Sequence, residues 1–171
     1  MRKLLSLIGA LALMAGLLAG CSASMKTFDT GAGMTFSLPG NFKETSVDGQ
    51  TAAYESRTAV VTVLKEGFTD LENAGLDLNA DSSVADYAQV VIDNNSLDVA
   101  LTEQDGVQYF VYEMTVEDQD ISYMATVTKG PDAFWLVQYA CETDNFEKYQ
   151  PDFISWTKTI KFGDAVAESE S

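Results

Sequence analysis

The stretch VQYFVYEMTVE (residues 107–117) decides the fold, together with DISYMATVTK (120–129) and AFWLVQYAC (133–141) that follow it. Asp118-Gln119 and Gly130-Pro131-Asp132 separate these segments with turn-forming residues, which predicts three antiparallel strands joined as a meander. In the first strand Phe110, Tyr112, Met114 and Val116 share one face, while Val107, Tyr109 and Val111 share the other. In the third, Trp135, Val137 and Tyr139 oppose Phe134 and Leu136. Side chains alternate across a strand, so a strand that is apolar on both faces needs cover on both.

Outward from this meander, the period changes. Val84, Tyr87, Ala88, Val91 and Ile92 repeat as one face of a helix. Ser83-Val-Ala-Asp86 opens it as a capping box with Asp in place of Glu, and Asn94-Asn95 supplies the exit. Before it, residues 67–81 are polar and acidic and read as a long surface loop with room for one helical turn. Three further strands precede that loop, over 34–38, 51–57 and 59–66, punctuated by Pro39-Gly40 and Asp48-Gly49. After the meander, Phe146, Tyr149, Phe153, Trp156 and Ile160 follow helical spacing, with Thr143 as N-cap. Pro151 interrupts that run and predicts two short helices or a kink. The sum is an α+β fold, an antiparallel sheet of about six strands flanked by helices.

Four pieces of this pattern carry a family resemblance. They are Phe36-Ser-Leu-Pro39-Gly-Asn-Phe42, Ser83-Val-Ala-Asp-Tyr87, the meander, and Asp144-Asn-Phe-Glu-Lys-Tyr-Gln-Pro151 ahead of Phe153 and Trp156. Together they resemble the PsbP family over nearly all of residues 34–162. The resemblance implies an α/β/α sandwich, found in the photosystem II extrinsic protein, a eukaryotic Ran-binding import factor and small bacterial lipoproteins. It also implies a binding or assembly subunit with no shared catalytic signature.

The amino terminus has a different logic. Met1-Arg2-Lys3 is a cationic start, residues 4–18 carry no charge, and Ala19-Gly20-Cys21 follows, the layout of a secretory signal. As a helix the apolar stretch reaches only ~23 Å, short of the ~30 Å core that a permanent span must cross. Leu18-Ala19-Gly20-Cys21 resembles the lipobox of bacterial lipoproteins, which implies diacylation of the Cys21 sulfur and removal of residues 1–20. Two or more acyl chains anchor a protein stably. The expected organisation is therefore a lipoprotein signal peptide (1–20), a lipidated Cys21 with a flexible tether (21–33), the folded domain (34–162) and an acidic tail (163–171). The expected location is the extracytoplasmic face of the cell membrane.

Composition narrows the function. The chain has 26 Asp+Glu against 10 Lys+Arg, a net charge of −16 and no His. Removal of 1–20 takes away Arg2 and Lys3 and no acid, moving the charge to −18. Such a chain has no cationic face for phosphates, so nucleic acid is excluded as a partner. Without His it lacks the usual neutral-pH acid-base group and the commonest metal ligand. With Cys21 acylated, Cys141 has no partner for a disulfide and closes an apolar strand as a small hydrophobe.

Three constellations have the residue types of a site. Asp77-Leu-Asn79-Ala-Asp81 begins like a calcium loop, but Ser82 and Ala88 stand where Gly and Glu are needed, so it reads as a solvated loop. Glu113, Glu117, Asp118 and Asp120 crowd one hairpin, as paired glycosidase carboxylates would, and read as a solvated turn. Trp135, Tyr139, Phe146, Tyr149 and Trp156 could line a groove, and their spacing favours core. No catalytic, cofactor or metal residue is assigned, and Cys21 is the one site residue. The expected function is a noncatalytic protein-binding or assembly module with an unidentified protein partner. The alternative is a small-molecule or cation receptor using the 67–81 loop and a cleft beside it.

Overall fold

The third strand of the meander becomes the centre of a seven-stranded antiparallel sheet in a computed structural model that describes residues 24–163. In chain order the elements are β1 (Met25–Asp29), β2 (Met34–Pro39), β3 (Lys43–Thr45), β4 (Ala52–Glu55), β5 (Ala59–Gly67), α1 (Phe68–Asn73), α2 (Val84–Asn94), β6 (Thr102–Gln104), β7 (Val107–Val116), β8 (Gln119–Lys129), β9 (Ala133–Glu142), a 3₁₀ turn (Thr143–Asn145), α3 (Phe146–Thr157) and β10 (Lys161–Phe162). The large sheet has the order β3-β4-β5-β9-β8-β7-β6, and a second, three-stranded sheet has the order β1-β2-β10. The architecture is α+β, as expected, with one correction. The strand over 34–38 leaves the main sheet and founds the small one.

Both faces of the main sheet are covered. On one side Trp135, Val137, Tyr139 and Cys141 meet Phe36, Leu38, Phe153 and Trp156, from the small sheet and α3. On the other, Phe110, Phe134 and Leu136 meet Tyr87, Ala88, Val91 and Ile92 of α2 and Leu71 of α1. The alternation in β7 sorts as its sequence predicts, with Phe110 and Tyr112 on the α2 side and Val107 and Tyr109 opposite. Each fully buried large apolar side chain contributes about 1.5–3 kcal/mol relative to exposure, so the two layers hold each other through β9.

Helix α2 begins as its sequence indicates. The Ser83 hydroxyl accepts from the Asp86 N–H while the Asp86 carboxylate accepts from the Ser83 N–H, the reciprocal capping box. The Ser83 hydroxyl also donates to Asp86 Oδ2 at 2.7 Å, and this bond, with that from the Ser83 N–H, holds the Asp86 carboxyl below its ordinary pKa. Asn95 closes the other end by donating from Nδ2 to the Val91 carbonyl at 2.8 Å.

Three local expectations are corrected. Residues 25–29, placed in the tether, form β1, where Phe28 is buried edge-on against Tyr54 with ring centroids 5.1 Å apart. A strand with a single buried side chain has no alternation to read. Thr143 opens the 3₁₀ turn and does not cap α3, whose N-cap position falls on Asn145. α3 runs through Pro151 unbroken. Proline removes the bond to the Glu147 carbonyl, which costs about 3 kcal/mol, and burial of Phe153, Ile154 and Trp156 on one face offsets it. The signal peptide, Cys21 and the tail beyond Gly163 lie outside the described residues; Gly163 itself donates to the Gly33 carbonyl at 2.9 Å.

Two hairpins turn on two-residue loops in the left-handed region. Asp105-Gly106, with φ of 53° and 79°, links β6 to β7, and Glu117-Asp118, with φ of 49° and 66°, links β7 to β8. The first has the residues that such a turn favours, and the second does not. Replacing Glu117-Asp118 by Asn-Gly is expected to stabilise the protein by about 1 kcal/mol, read as a raised urea midpoint with unchanged slope. No change, or a loss, would contradict the strain assigned to this turn.

Candidate functional site

The polar groups that depart from a plain apolar core mark where function could lie. On the α2 side of the main sheet, Glu66 of β5 is buried to 5% exposure, and the Tyr87 hydroxyl of α2 donates to its Oε2. Tyr87 in turn stacks on Phe134, centroids 4.6 Å apart and nearly parallel. Loss of water raises the Glu66 pKa, and the Tyr87 hydrogen bond partly opposes that rise. The same burial, together with the Glu66 charge, lifts the Tyr87 pKa well above its ordinary value. A tyrosine that stays protonated is a fixed donor, so this pair orients α2 on the sheet. Further along the same face the Tyr112 hydroxyl donates to Gln138 Oε1 at 2.8 Å, leaving the buried Gln138 Nε2 without a partner among the described residues.

The loop that begins like a calcium site already holds a cation from its own chain. The Lys129 ammonium, at the end of β8, donates to the carbonyls of Ala80 and Ser82 and lies 5.6 Å from the ring centres of Phe68 and Phe134. Asn79 Oδ1 accepts from the Asp81 N–H at 2.8 Å, and Leu78 is buried beneath. The loop over 67–81 is thereby pinned to the sheet, with α1 forming its first turn. Asp77 and Asp81 point away as exposed side chains.

The acidic hairpin is likewise ordered by its own hydroxyls. Thr115 donates to Asp120 Oδ1 at 2.7 Å, and Ser122 donates to Glu113 Oε1 at 3.2 Å. At its foot, Gln119, Asp120, Glu142, Thr143 and Asp144 line a concavity of about 240 Å³. Glu117 and Asp118 form the exposed tip. The aromatic set resolves as core for Trp135, Tyr139 and Trp156, with Phe146 and Tyr149 packed half-buried against it. Tyr149 also hydrogen-bonds Thr58 at 2.6 Å, a tie between α3 and the β4–β5 turn. Cys141 is fully buried, and burial pushes its thiol up to about 12, so it stays an inert hydrophobe at neutral pH.

A groove of about 460 Å³ was not legible in the sequence. Val107, Val127, Ile160 and Phe162 form its apolar floor, with Glu103, Gln108 and Lys158 at the rim. Gln108 Oε1 is buried there without a partner among the described residues. The Asp105-Gly106 dipeptide is the signal that could have found it, because that turn brings β6 beside β7 and sets Glu103 next to Gln108.

No protein-family model matches this chain, and no curated protein does. Solved structures do. Cyanobacterial PsbP (CyanoP) from Synechocystis sp. PCC 6803 superposes with a TM-score of 0.52 at 16% identity, covering 88% of this chain and 99% of that one. The Saccharomyces cerevisiae Ran-binding protein Mog1p gives 0.52 at 10% identity over 82% of this chain and 96% of its own. A Bacteroides thetaiotaomicron VPI-5482 protein gives 0.54 at 9% identity over 85% of this chain and 50% of its own. At such identities the likeness is one of fold, and the fold is PsbP-like.

The Glu66 carboxyl yields a signed pH prediction. Its folded pKa is raised, so its contribution to stability is complete below the unfolded value and lost as pH rises through the folded one. Glu66→Gln keeps an acceptor for Tyr87 and removes the charge. Its stability relative to the parent should therefore climb from pH 4 toward pH 8, measured by urea unfolding at each pH. A pH-independent difference would show that Glu66 does not titrate in the folded state.

Proposed function

We propose that this protein is a lipid-anchored extracytoplasmic lipoprotein, with Cys21 as the acylated residue, whose domain is a noncatalytic protein-binding or assembly module. The observation that carries the binding role is the acidic end of the main sheet. Glu117 and Asp118 at the β7–β8 tip project beside the concavity lined by Asp120, Glu142 and Asp144, on a hairpin that its own hydrogen bonds make rigid. Such a surface steers a cationic partner and fixes its orientation more than it adds raw affinity. The fold supports the reading: Mog1p, which shares it, is Ran-binding, so a protein of this architecture engages another protein. The sheet faces themselves are spent on core. The lipobox at Leu18-Ala19-Gly20-Cys21 supports the anchor. Among the described residues no helix is long and apolar enough to cross a membrane.

A second reading, a small-molecule receptor, is favoured by the groove between the β6–β7 hairpin, the end of α3 and β10. Its volume of about 460 Å³ lies in the range of small-ligand sites, and Gln108 Oε1 offers an acceptor inside it. A small amphipathic molecule that raises the melting temperature of the parent and not of Gln108→Leu would move the assignment here.

Photo-crosslinking from the β7–β8 tip in intact cells tests the leading reading. Glu117→Lys, Asp118→Asn and Asp144→Lys together should lower the yield of the crosslinked partner about tenfold, while reversal of exposed Asp77 and Asp81 should not. Equal yields in both variants would remove the acidic end as the binding surface. Mass analysis of Cys21 from the membrane fraction tests the anchor, and an unmodified Cys21 would refute it.

A further inference from the structure

The position of β1 gives the anchor a geometry that twelve residues of loose tether would not have. Ser24, the first described residue, accepts at its carbonyl from the Gly40 N–H at 2.8 Å. A Cβ on residue 40 would lie 2.9 Å from that same carbonyl, so glycine is what permits the close approach. Between an acylated Cys21 and this fixed point stand only Ser22 and Ala23. Three Cα steps reach at most about 11 Å. The bilayer is therefore a near neighbour of one particular corner of the domain.

The corner is chemically distinct. Met25 is 52% exposed and is the only large hydrophobic side chain exposed among the described residues. Beside it are Pro39, opposite Met25 in the β1–β2 pair, and Lys26, whose ammonium lies 5.3 Å from the Phe28 ring centre. Gly40-Asn41-Phe42 leads within three residues to exposed Lys43, which pairs with Glu55 two residues before exposed Arg57. Lys26, Lys43 and Arg57 balance Asp29, Glu44 and Glu55, so a body of strong negative charge has a locally near-neutral corner close to Cys21 in the sequence. The acids of the β7–β8 tip lie at the same end of the strands but four to five strands away across the sheet, about 19–24 Å at ~4.8 Å per strand.

We propose that this corner, formed by Ser24, Met25, Lys26, Pro39, Gly40 and Lys43, rests on the membrane surface, with Met25 among the lipid headgroups and the acidic β7–β8 tip displaced to the side by four to five strands. The inference rests on acylation of Cys21, and it deepens that reading by giving the domain one orientation. An exposed methionine beside lysines suits the headgroup boundary, where an apolar side chain is buried and cations meet anionic lipid. The acidic tip is repelled by the same lipid, which tilts the sheet so that its β3 edge and not its β7–β8 tip meets the surface.

The test uses the full chain, purified from membranes with the mass of its Cys21 measured. Met25→Cys, Lys26→Cys and, as a distant control, Asp105→Cys are each labelled with a fluorophore; buried Cys141 does not compete for the reagent. Asp105 lies in the β6–β7 turn at the opposite edge of the sheet, about 29 Å from β3 across six strand spacings. In phosphatidylethanolamine–phosphatidylglycerol vesicles carrying a headgroup spin label, positions 25 and 26 should lose most of their emission and position 105 should keep it. Equal quenching at all three sites, or none at 25 and 26, with Cys21 acylated, overturns the orientation and leaves the anchor standing. A Cys21 mass without acyl chains overturns the anchor, and the orientation with it.

Discussion

No residue of β9 from Ala133 to Cys141 is exposed, and the rest of the structure answers to that strand. Its side chains alternate between two cores, so the sheet it centres cannot lie on solvent with either face. One face takes α1 and α2. The other takes α3 and the small sheet β1-β2-β10. Each layer buries a stripe of its own that would be insoluble alone, and each depends on β9 to present the complementary surface. The tolerance of α3 for Pro151 follows from the same dependence, because packing of Phe153, Ile154 and Trp156 outweighs one missing backbone bond.

Polar groups inside this sandwich work as orientation devices. Tyr87 and Glu66 set the angle of α2, and Lys129 holds the preceding loop by its carbonyls while its charge lies over Phe68 and Phe134. A buried carboxyl bonded to a permanently protonated phenol is held in place, and a loop whose carbonyls are already filled by an ammonium has little left for an outside cation. Chemistry is thus directed away from the interior and toward the surface, where charge dominates. The acidic end of the sheet and the corner at Ser24 to Lys43, where lysines flank exposed Met25, are distinct surfaces, and a lipid-held binding module could use the first for its partner and the second for its membrane.

The small sheet joins the two ends of the domain. β2 is paired on one side by β1, the first described strand, and on the other by β10, the last. The first and last described strands are therefore both held in register by β2. A lipid on Cys21, as proposed, would therefore be joined by a few residues to a strand that is itself held in register.

The sequence by itself determined every element whose own side chains have a period. The meander with its two apolar faces, α2 with its capping box, and α3 with its aromatic stripe were all legible, as was the need for two covering layers, because burial stamps alternation or 3.6-residue spacing on the residues that undergo it. Tertiary structure alone decided the rest. β1, β3, β6 and β10 are short strands with few buried side chains, so no alternation marks them, and β10 finds its partner β2 at the far end of the chain. The same holds for the partition of β2 into a second sheet, the groove beside Phe162 and the ammonium of Lys129 in the loop 47 and 49 residues away. Each is a meeting of groups far apart along the chain, and only the folded backbone brings them together.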